Sequence, residues 1–298
     1  MGHVLEKRYR RLLRAYPEGH RAEHGEELIG ALLAAARPGA LRPSPRETLS
    51  LLAGGFTVRV RASRAAGVPG WADGLHLGAL AVAVVTVAQL PVLPYLVFKV
   101  WTGVGVVLVV ALVRGWTRVA APLAAIAALL TSWPIVLGWL HGPVVDVGPL
   151  YGDLGPVAPY WVVAAASAAL AVRRTGAGRA SGQARWWGVT MPVRSPWWLV
   201  VPPVCWALQL AQVPADETVW GVVRAGVEVV ALLLVLAATL AARDGRWALA
   251  AAVYLVPGLV HLAENLLVTR VSGFLYWSVL TVLVVTSLAA ARRMRVRA

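Results

Sequence analysis

The stretch that decides the fold is residues 75–98, LHLGALAVAVVTVAQLPVLPYLVF, which contains no Lys, Arg, Asp or Glu. A helix that crosses a bilayer needs about 20 mostly apolar residues, and this stretch supplies them. Further apolar segments follow at residues 100–113, 119–140, 157–172, 196–213, 218–241, 247–268 and 272–291. The sequence therefore predicts an all-α polytopic membrane protein with about eight transmembrane helices. The second segment, 100–113, is short, and only Lys99 separates it from the first.

The composition excludes the main soluble classes. Of 298 residues, 59% are apolar and 14% are charged, and the net charge is +14. Soluble domains average about 45–50% apolar and about 25% charged residues, and disordered chains contain fewer apolar residues still. The single cysteine, Cys205, excludes an intrachain disulfide and a cysteine metal cluster. The scarcity of Lys beside abundant Arg, Ala, Val and Gly indicates a GC-rich bacterial genome.

The distribution of positive charge predicts the orientation of the chain. All but three of the 28 Lys and Arg residues lie in segments that an eight-span chain places on one side. These segments are 1–73, 114–118, 173–195, 242–246 and 292–298. Cytoplasmic loops of bacterial membrane proteins carry such an excess, so we expect an inner-membrane protein with both termini cytoplasmic. The exceptions are Lys99, Arg224 and Arg270.

The spans divide into two halves that resemble each other. Ala88-Gln89-Leu90-Pro91 recurs as Ala211-Gln212-Val213-Pro214, and Pro134 has a counterpart in Pro257. We interpret this as two four-helix repeats of the same orientation, as occur in some transporters. Chance matches between Ala- and Val-rich helices are the alternative. The predicted organisation is a cytoplasmic helical head with its juxtamembrane linker (1–73), a first repeat (74–174), a basic cytoplasmic loop (175–195), and a second repeat with a basic tail (196–298).

Three helices are predicted in the head. The first, over residues 5–16, is basic and carries one apolar stripe, because its apolar residues recur at helical spacing. The stripe consists of Leu5, Tyr9, Leu12, Leu13 and Tyr16. Pro17 ends this helix, and a second helix over residues 18–36 buries Leu28 and its neighbours. A third begins at Ser44, the N-cap of a capping box with Glu47 three residues on.

The head resembles a known type of module. Tyr9-Arg10-Arg11-Leu12-Leu13-Arg14-Ala15-Tyr16-Pro17, followed by Arg21-Ala22-Glu23-His24-Gly25-Glu26-Glu27-Leu28, is similar to the HAAS-type and permease-prefix modules that precede bacterial transmembrane domains. The resemblance covers residues 5–60. It implies a cytoplasmic adaptor that binds a PadR-type transcriptional regulator, or a permease partner. The residues assigned to that contact are Tyr9, Leu12, Leu13, Tyr16, Glu27 and Leu28.

Polar residues inside the apolar segments form the candidate site. Arg224 and Glu228 are four residues apart and share a helix face, as do His261, Glu264 and Asn265 on the next segment. Ionisable groups in a span cost about 2.5–3.5 kcal/mol or more each, so they face a partner or a wet cavity. Three interpretations remain open: a structural ion pair of Arg224 with Glu228 or Glu264, an outward-facing ligand or proton-sensing pocket, and a catalytic site.

Other motifs carry less weight. His20-Arg21-Ala22-Glu23-His24 matches the H-x-x-E-H pattern of inverted zincins. A polar surface helix is the favoured interpretation, because no partner glutamate is evident in a second helical motif. The basic loop 173–195, with Trp186 and Trp187, suits an anionic-lipid interface better than nucleic acid. Nucleotide-binding loops and the nucleophile elbow of hydrolases are not found in the sequence.

The function expected from these patterns is non-enzymatic. We expect a membrane sensor or adaptor in which the polar cluster responds to a signal outside and the head binds a cytoplasmic regulator. A secondary transporter, or a permease subunit for a small or amphipathic solute, is the alternative, and a membrane-embedded enzyme is a third. No catalytic residue, metal or cofactor is assigned, and the partners expected are the bilayer with its anionic lipids and a cytoplasmic protein.

Overall fold

The computed structural model describes residues 2–37, 40–63, 68–89, 96–141, 154–172, 191–211, 217–267, 269 and 271–296. Within these ranges the chain forms eleven α-helices and no strand, which confirms the all-α prediction. Two compact units are distinguished by their internal contacts. The first comprises residues 1–66 and 240–243, and the second comprises residues 67–239 and 244–298.

The first unit contains the predicted head helices. They are α1 (Gly2–Leu12), α2 (Glu18–Ala35) and α3 (Pro45–Ala62), and a 3-10 turn (Leu13–Ala15) follows α1. Their apolar faces meet in one small core, formed by Leu5, Tyr9, Leu13, Tyr16, Ile29 and Leu51. α3 comes close to the 3-10 turn because Gly55 has no side chain. A Cβ there would lie 2.8 Å from the Cβ of Ala15.

The capping box at the start of α3 is confirmed. The Ser44 hydroxyl accepts a hydrogen bond from the Glu47 amide at 3.2 Å, and Glu47 Oε2 accepts one from the Ser44 amide at 2.9 Å. The same carboxylate oxygen accepts a bond from the Tyr9 hydroxyl at 2.9 Å. Glu47 therefore joins the start of α3 to α1.

This arrangement predicts that the start of α3 is acid-sensitive. The bonds from the Ser44 amide and the Tyr9 hydroxyl hold the pKa of Glu47 below its usual value of 4.5. A carboxyl group with a lowered folded-state pKa stabilises the fold above its unfolded-state pKa, and that contribution is lost as the pH falls through the folded-state value.

We expect amide exchange at residues 44–50 of the full chain, corrected for intrinsic rates, to accelerate between about pH 5 and about pH 3. Glu47→Gln keeps an acceptor that does not titrate, so its exchange should lack this acceleration. Equal acceleration in both proteins would contradict the assignment.

The second unit contains a helix at each predicted span. These are α4 (Gly70–Gln89), α5 (Leu96–Val113), α6 (Thr117–His141), α7 (Leu154–Val172), α8 (Val201–Leu210), α9 (Glu217–Ala242), α10 (Arg246–Glu264) and α11 (Val271–Val296). Among the described residues, four segments are long and apolar enough to cross a membrane, namely Gly70–Gln89, Gly221–Ala242, Arg246–Glu264 and Val271–Met294. The shorter apolar segments are Val100–Val113, Thr117–Trp133, Val157–Val172 and Pro196–Leu208. Length and composition thus support four membrane crossings, and the full set of eight crossings stays a prediction.

Some boundaries differ from those predicted. α4 begins at Gly70, so the linker after the head is shorter than expected. α4 ends at Gln89 and α5 begins at Leu96, so Lys99 lies inside a helix rather than at the break. Residues 90–95, between these two helices, lie outside the described residues.

α4 is the central helix of this unit and packs against α5, α7, α8 and α10. Its contact with α10 is close because Gly74 and Gly78, four residues apart, face that helix. A Cβ at Gly74 would lie 2.4 Å from the carbonyl oxygen of Arg246, and one at Gly78 would lie 2.7 Å from the Cβ of Val253. Small residues at this spacing are typical of tightly packed membrane helices. α9 differs, since its apolar side chains are largely exposed, with Val222 at 73%.

Candidate functional site

A cavity of about 980 Å³ lies among α4, α7, α9, α10 and α11. Its charged or aromatic polar lining consists of Arg224, Glu228, Tyr254, His261 and Tyr276. The rest of the wall is mostly aliphatic, with Trp277 and a few small polar groups. A largely apolar cavity with a few convergent polar groups is the usual form of a small-molecule site.

Glu228 is the anchored group of the cavity. Arg224 Nε donates to Glu228 Oε1 at 3.0 Å, and the Tyr276 hydroxyl donates to Glu228 Oε2. Both carboxylate oxygens are therefore occupied, and the side chain is only 12% exposed. The Arg224 side chain is 51% exposed, so the accessible charge of this pair is positive.

The second predicted group lies at the end of α10 beside the cavity. Glu264 Oε2 accepts a hydrogen bond of 2.5 Å from the amide of Gly155, near the start of α7. Asn265 Nδ2 donates to the His261 carbonyl at 3.0 Å and lies 3.3 Å from His261 Nδ1. Arg224, Glu228 and His261 thus line the cavity, while Glu264 and Asn265 connect the end of α10 to α7 and to its own last turn.

The wall between α10 and α11 depends on Gly258. A Cβ at this position would lie 2.1 Å from Cη2 of Trp277, a rigid ring that cannot yield locally. We expect Gly258→Ala to push the ring away, to change the cavity and to lower the free energy of unfolding by about 1–3 kcal/mol. Thermal unfolding in detergent, followed by tryptophan fluorescence, measures this effect. Gly221→Ala is the matched control, because Gly221 also lines the cavity but a Cβ there meets nothing within 4 Å. Equal stability of the two variants would contradict the packing argument.

A second polar cluster, missed by the sequence analysis, lies where α4 and α10 begin. Asp73 and Arg246 are each 2% exposed. Arg246 Nη1 donates to Asp73 Oδ2 at 2.7 Å, and Arg194 Nη2 donates to Asp73 Oδ1 and, at 3.2 Å, to the Asp73 carbonyl. One buried carboxylate therefore holds two guanidinium groups.

His76 and Asp244 complete this cluster. His76 is fully buried, with Nε2 2.9 Å from the Leu112 carbonyl and Nδ1 3.4 Å from Arg194 Nη2. These partners assign the neutral tautomer in which Nε2 carries the proton and donates. Asp244 Oδ1 accepts from the Arg246 amide at 3.2 Å. Two carboxylates thus balance two guanidinium groups.

Arg194 reaches the cluster because its loop is fixed on the turn between α5 and α6. Its amide donates to the Val113 carbonyl at 2.8 Å. Gly115 in that turn has a φ of +73°, and a Cβ there would lie 2.4 Å from the Met191 carbonyl oxygen. Glycine is therefore required twice over, for its backbone conformation and for its lack of a side chain.

These contacts correct the predicted roles of two arginines. Arg194 and Arg246 are not free loop charges, because each is paired with the buried Asp73. Two signals in the sequence point to this pairing: acidic residues, Asp73 and Asp244, at the entrances to apolar helices, and the Gly74–Gly78 spacing. The remaining basic residues of the predicted lipid-facing loop, with Trp186 and Trp187, lie outside the described residues.

The head residues assigned to partner binding divide by burial. Tyr9, Leu13 and Tyr16 are 1%, 3% and 8% exposed and belong to the core of the head, so their side chains do not form a contact surface. Leu12 and Leu28 pack partly against that core. The Glu27 side chain is 84% exposed and available to a partner.

The H-x-x-E-H segment lies on α2. The ring of His20 stacks on Tyr16 with centroids 5.2 Å apart, and His24 Nε2 and Nδ1 lie 3.8 Å from Glu23 and Glu27 respectively. Among the described residues no group of three or more His, Cys, Asp or Glu side chains is placed to hold a metal ion.

Comparisons of the whole chain with protein-family models, curated proteins and solved structures find no match.

Proposed function

We propose that the chain is a bacterial inner-membrane sensor or adaptor with eight spans and both termini cytoplasmic. In this proposal the cavity binds a small ligand from outside, and the head binds a cytoplasmic regulator. The helices at every apolar segment and the one-sided Lys and Arg distribution support this topology. The exposed apolar face of α9 suits contact with lipid.

The cavity is the observation that carries the proposal. The Arg224–Glu228 pair lies within α9 and does not itself join two helices, and it borders a space of about 980 Å³. Arg224 lines that space, and its side chain is half exposed. Glu228 accepts hydrogen bonds from Arg224 on its own helix, α9, and from Tyr276 on α11. A ligand that engages Arg224 would change the link between α9 and α11, which is the kind of differential contact a sensor requires.

The adaptor half of the proposal rests on the resemblance of the head and on its surface charges. Arg10 on α1 forms a two-bond pair with Glu26 on α2, at 2.6 and 3.0 Å, and Glu27 beside it is exposed. A PadR-type regulator is the partner implied.

Affinity purification of the tagged full chain from bacterial membranes, with mass spectrometry of the bound proteins, tests the adaptor. We expect a PadR-type regulator to co-purify, and Glu27→Lys to reduce its recovery without changing the stability of the chain. Tyr9→Ala is unsuitable because it opens the core of the head. Absence of such a regulator would refute the adaptor, whereas ligand binding in the cavity would remain testable by itself.

Secondary transport is the second candidate, favoured by one feature of the cavity. Pro159 and Pro257 lie inside α7 and α10 and both line it. Each proline removes one backbone hydrogen bond of its helix and so provides a point at which the helix can bend beside the cavity. Solute uptake into proteoliposomes that is lost with Arg224→Gln or Glu264→Gln would support this function over the sensor.

A further inference from the structure

We infer that the ligand of the cavity is an amphiphile with an anionic carboxylate or phosphate head and an aliphatic body. This inference rests on the proposal that the cavity binds a ligand, and it adds the chemical class of that ligand. Arg224 binds the head, Glu228 is a positioning residue, and the apolar walls receive the chain.

The position of Arg224 within its ion pair is the first reason. Only its Nε donates to Glu228, and no described residue accepts a hydrogen bond from its two terminal nitrogens. Glu228 is itself fixed by the Tyr276 hydroxyl. The guanidinium is therefore held through Nε, and half of the side chain is exposed. The planar fork of arginine matches carboxylate and phosphate oxygens in two parallel bonds.

The state of the acidic groups argues against a cationic ligand. Both oxygens of Glu228 have donors, and the side chain is 12% exposed. Glu264 accepts from the Gly155 amide at 2.5 Å and does not line the cavity. The cavity therefore offers a cation one largely buried carboxylate that already shares its charge with Arg224, whereas it offers an anion a half-exposed guanidinium.

The remaining wall indicates the apolar body. Around the charged pair lie apolar side chains from α4, α9, α10 and α11, which include Val82, Val85, Val222, Leu255 and the rings of Tyr254 and Trp277. A volume of about 980 Å³ is at the upper end of the range for small-molecule sites, so it accommodates a chain as well as a head. A small hydrophilic anion would leave most of this apolar wall without a contact.

Photo-crosslinking of the full chain in phosphatidylcholine nanodiscs tests the inference. Four diazirine probes share one 12-carbon chain and differ in the head, which is carboxylate, phosphate, trimethylammonium or neutral maltoside. We expect the first two to label cavity-lining peptides of α10 or α11, with saturable dependence on concentration. Arg224→Gln should weaken their apparent affinity by roughly 10- to 100-fold, since charge-assisted bonds are lost.

Two further variants separate binding from folding. Arg118→Gln, at an exposed arginine of α6 that does not line the cavity, should leave labelling unchanged. Arg224→Lys keeps the charge but loses the fork, so its affinity should fall between those of the wild type and Arg224→Gln. If Arg224→Gln is not monodisperse, the lysine variant alone decides, and wild-type affinity in it would overturn the role of the fork.

The outcomes distinguish this inference from the proposed function. Preferential labelling by the ammonium or maltoside probe, or anionic labelling insensitive to Arg224, would overturn the anionic class and leave the cavity a ligand site. Labelling of the cavity by none of the four would overturn both. Where the anionic probes do bind, competition by phosphatidylglycerol in the nanodisc identifies a lipid headgroup as the source, and its failure to compete identifies a free amphiphile. Either result supports the anionic head.

Discussion

Asp73→Ala is expected to lower the free energy of unfolding of the helical unit that contains it by about 3–5 kcal/mol. The reason is the fate of its partners. Arg246 is 2% exposed and Arg194 is 13% exposed, so removal of the Asp73 carboxylate leaves two largely buried guanidinium groups with one carboxylate, Asp244, between them. Desolvated charges that lose a partner cost far more than the pair contributes when intact.

Tryptophan fluorescence during denaturant unfolding in detergent measures this effect selectively. All tryptophans lie at position 71 or later, so the signal reports on the second unit and not on the head. Glu27→Ala, at an exposed acidic side chain of the head, is the control and should leave the signal unchanged. Asp73→Leu combined with Arg246→Met should recover part of the loss, since apolar residues of similar volume often replace a buried pair without penalty, while Arg194 and Asp244 keep their charges. A loss with Asp73→Ala no larger than that of the control would contradict a buried, charged Asp73.

The second large effect is expected from Gly74→Ala. The added Cβ would meet the carbonyl oxygen of Arg246 at 2.4 Å, and this oxygen belongs to the backbone of α10. A backbone atom cannot rotate away, so α4 and α10 must separate. We expect a loss of about 1–3 kcal/mol, and a larger one for Gly74→Leu.

Gly226→Ala provides the matched comparison for Gly74→Ala. Gly226 lies in α9, and a Cβ there meets nothing within 4 Å. Alanine in a helix interior is about 0.5–1 kcal/mol better than glycine, so this variant should be neutral or slightly more stable. The same fluorescence measurement compares the two. Equal behaviour of the two variants would show that α4 and α10 have room to adjust.

Features set by short stretches of sequence could be predicted. Apolar length located the helices of the second unit, and the spacing of Ser44 and Glu47 identified the start of α3 with its capping box. The Arg224–Glu228 pair followed from a separation of four residues on one helix. In each case the interacting groups are neighbours along the chain, so their geometry is fixed by the helix itself.

Features that depend on which helices meet could not be predicted in this way. Tyr276 lies 48 residues from Glu228, and no local pattern joins them. Tyr9 illustrates a different difficulty, since an apolar stripe on a small helix serves equally well as an internal core or as a partner surface. Its 1% exposure decides for the core. Arg246 was assigned by its loop position, because a rule that counts charges takes no account of burial.

The Asp73–Arg246 pair can form only late in synthesis, because its two residues lie far apart in the chain. The two residues are 173 positions apart, so at about 5–20 residues per second the ribosome adds Arg246 roughly 9–35 seconds after Asp73. For that interval α4 sits in the nascent chain with a carboxylate whose final counter-charge does not yet exist. Any chain that stops short of Arg246 keeps the defect permanently. The pair thus marks synthesis through Arg246, and quality-control proteases that recognise unpaired polar groups in apolar helices would have a physical basis for recognising fragments that end before it.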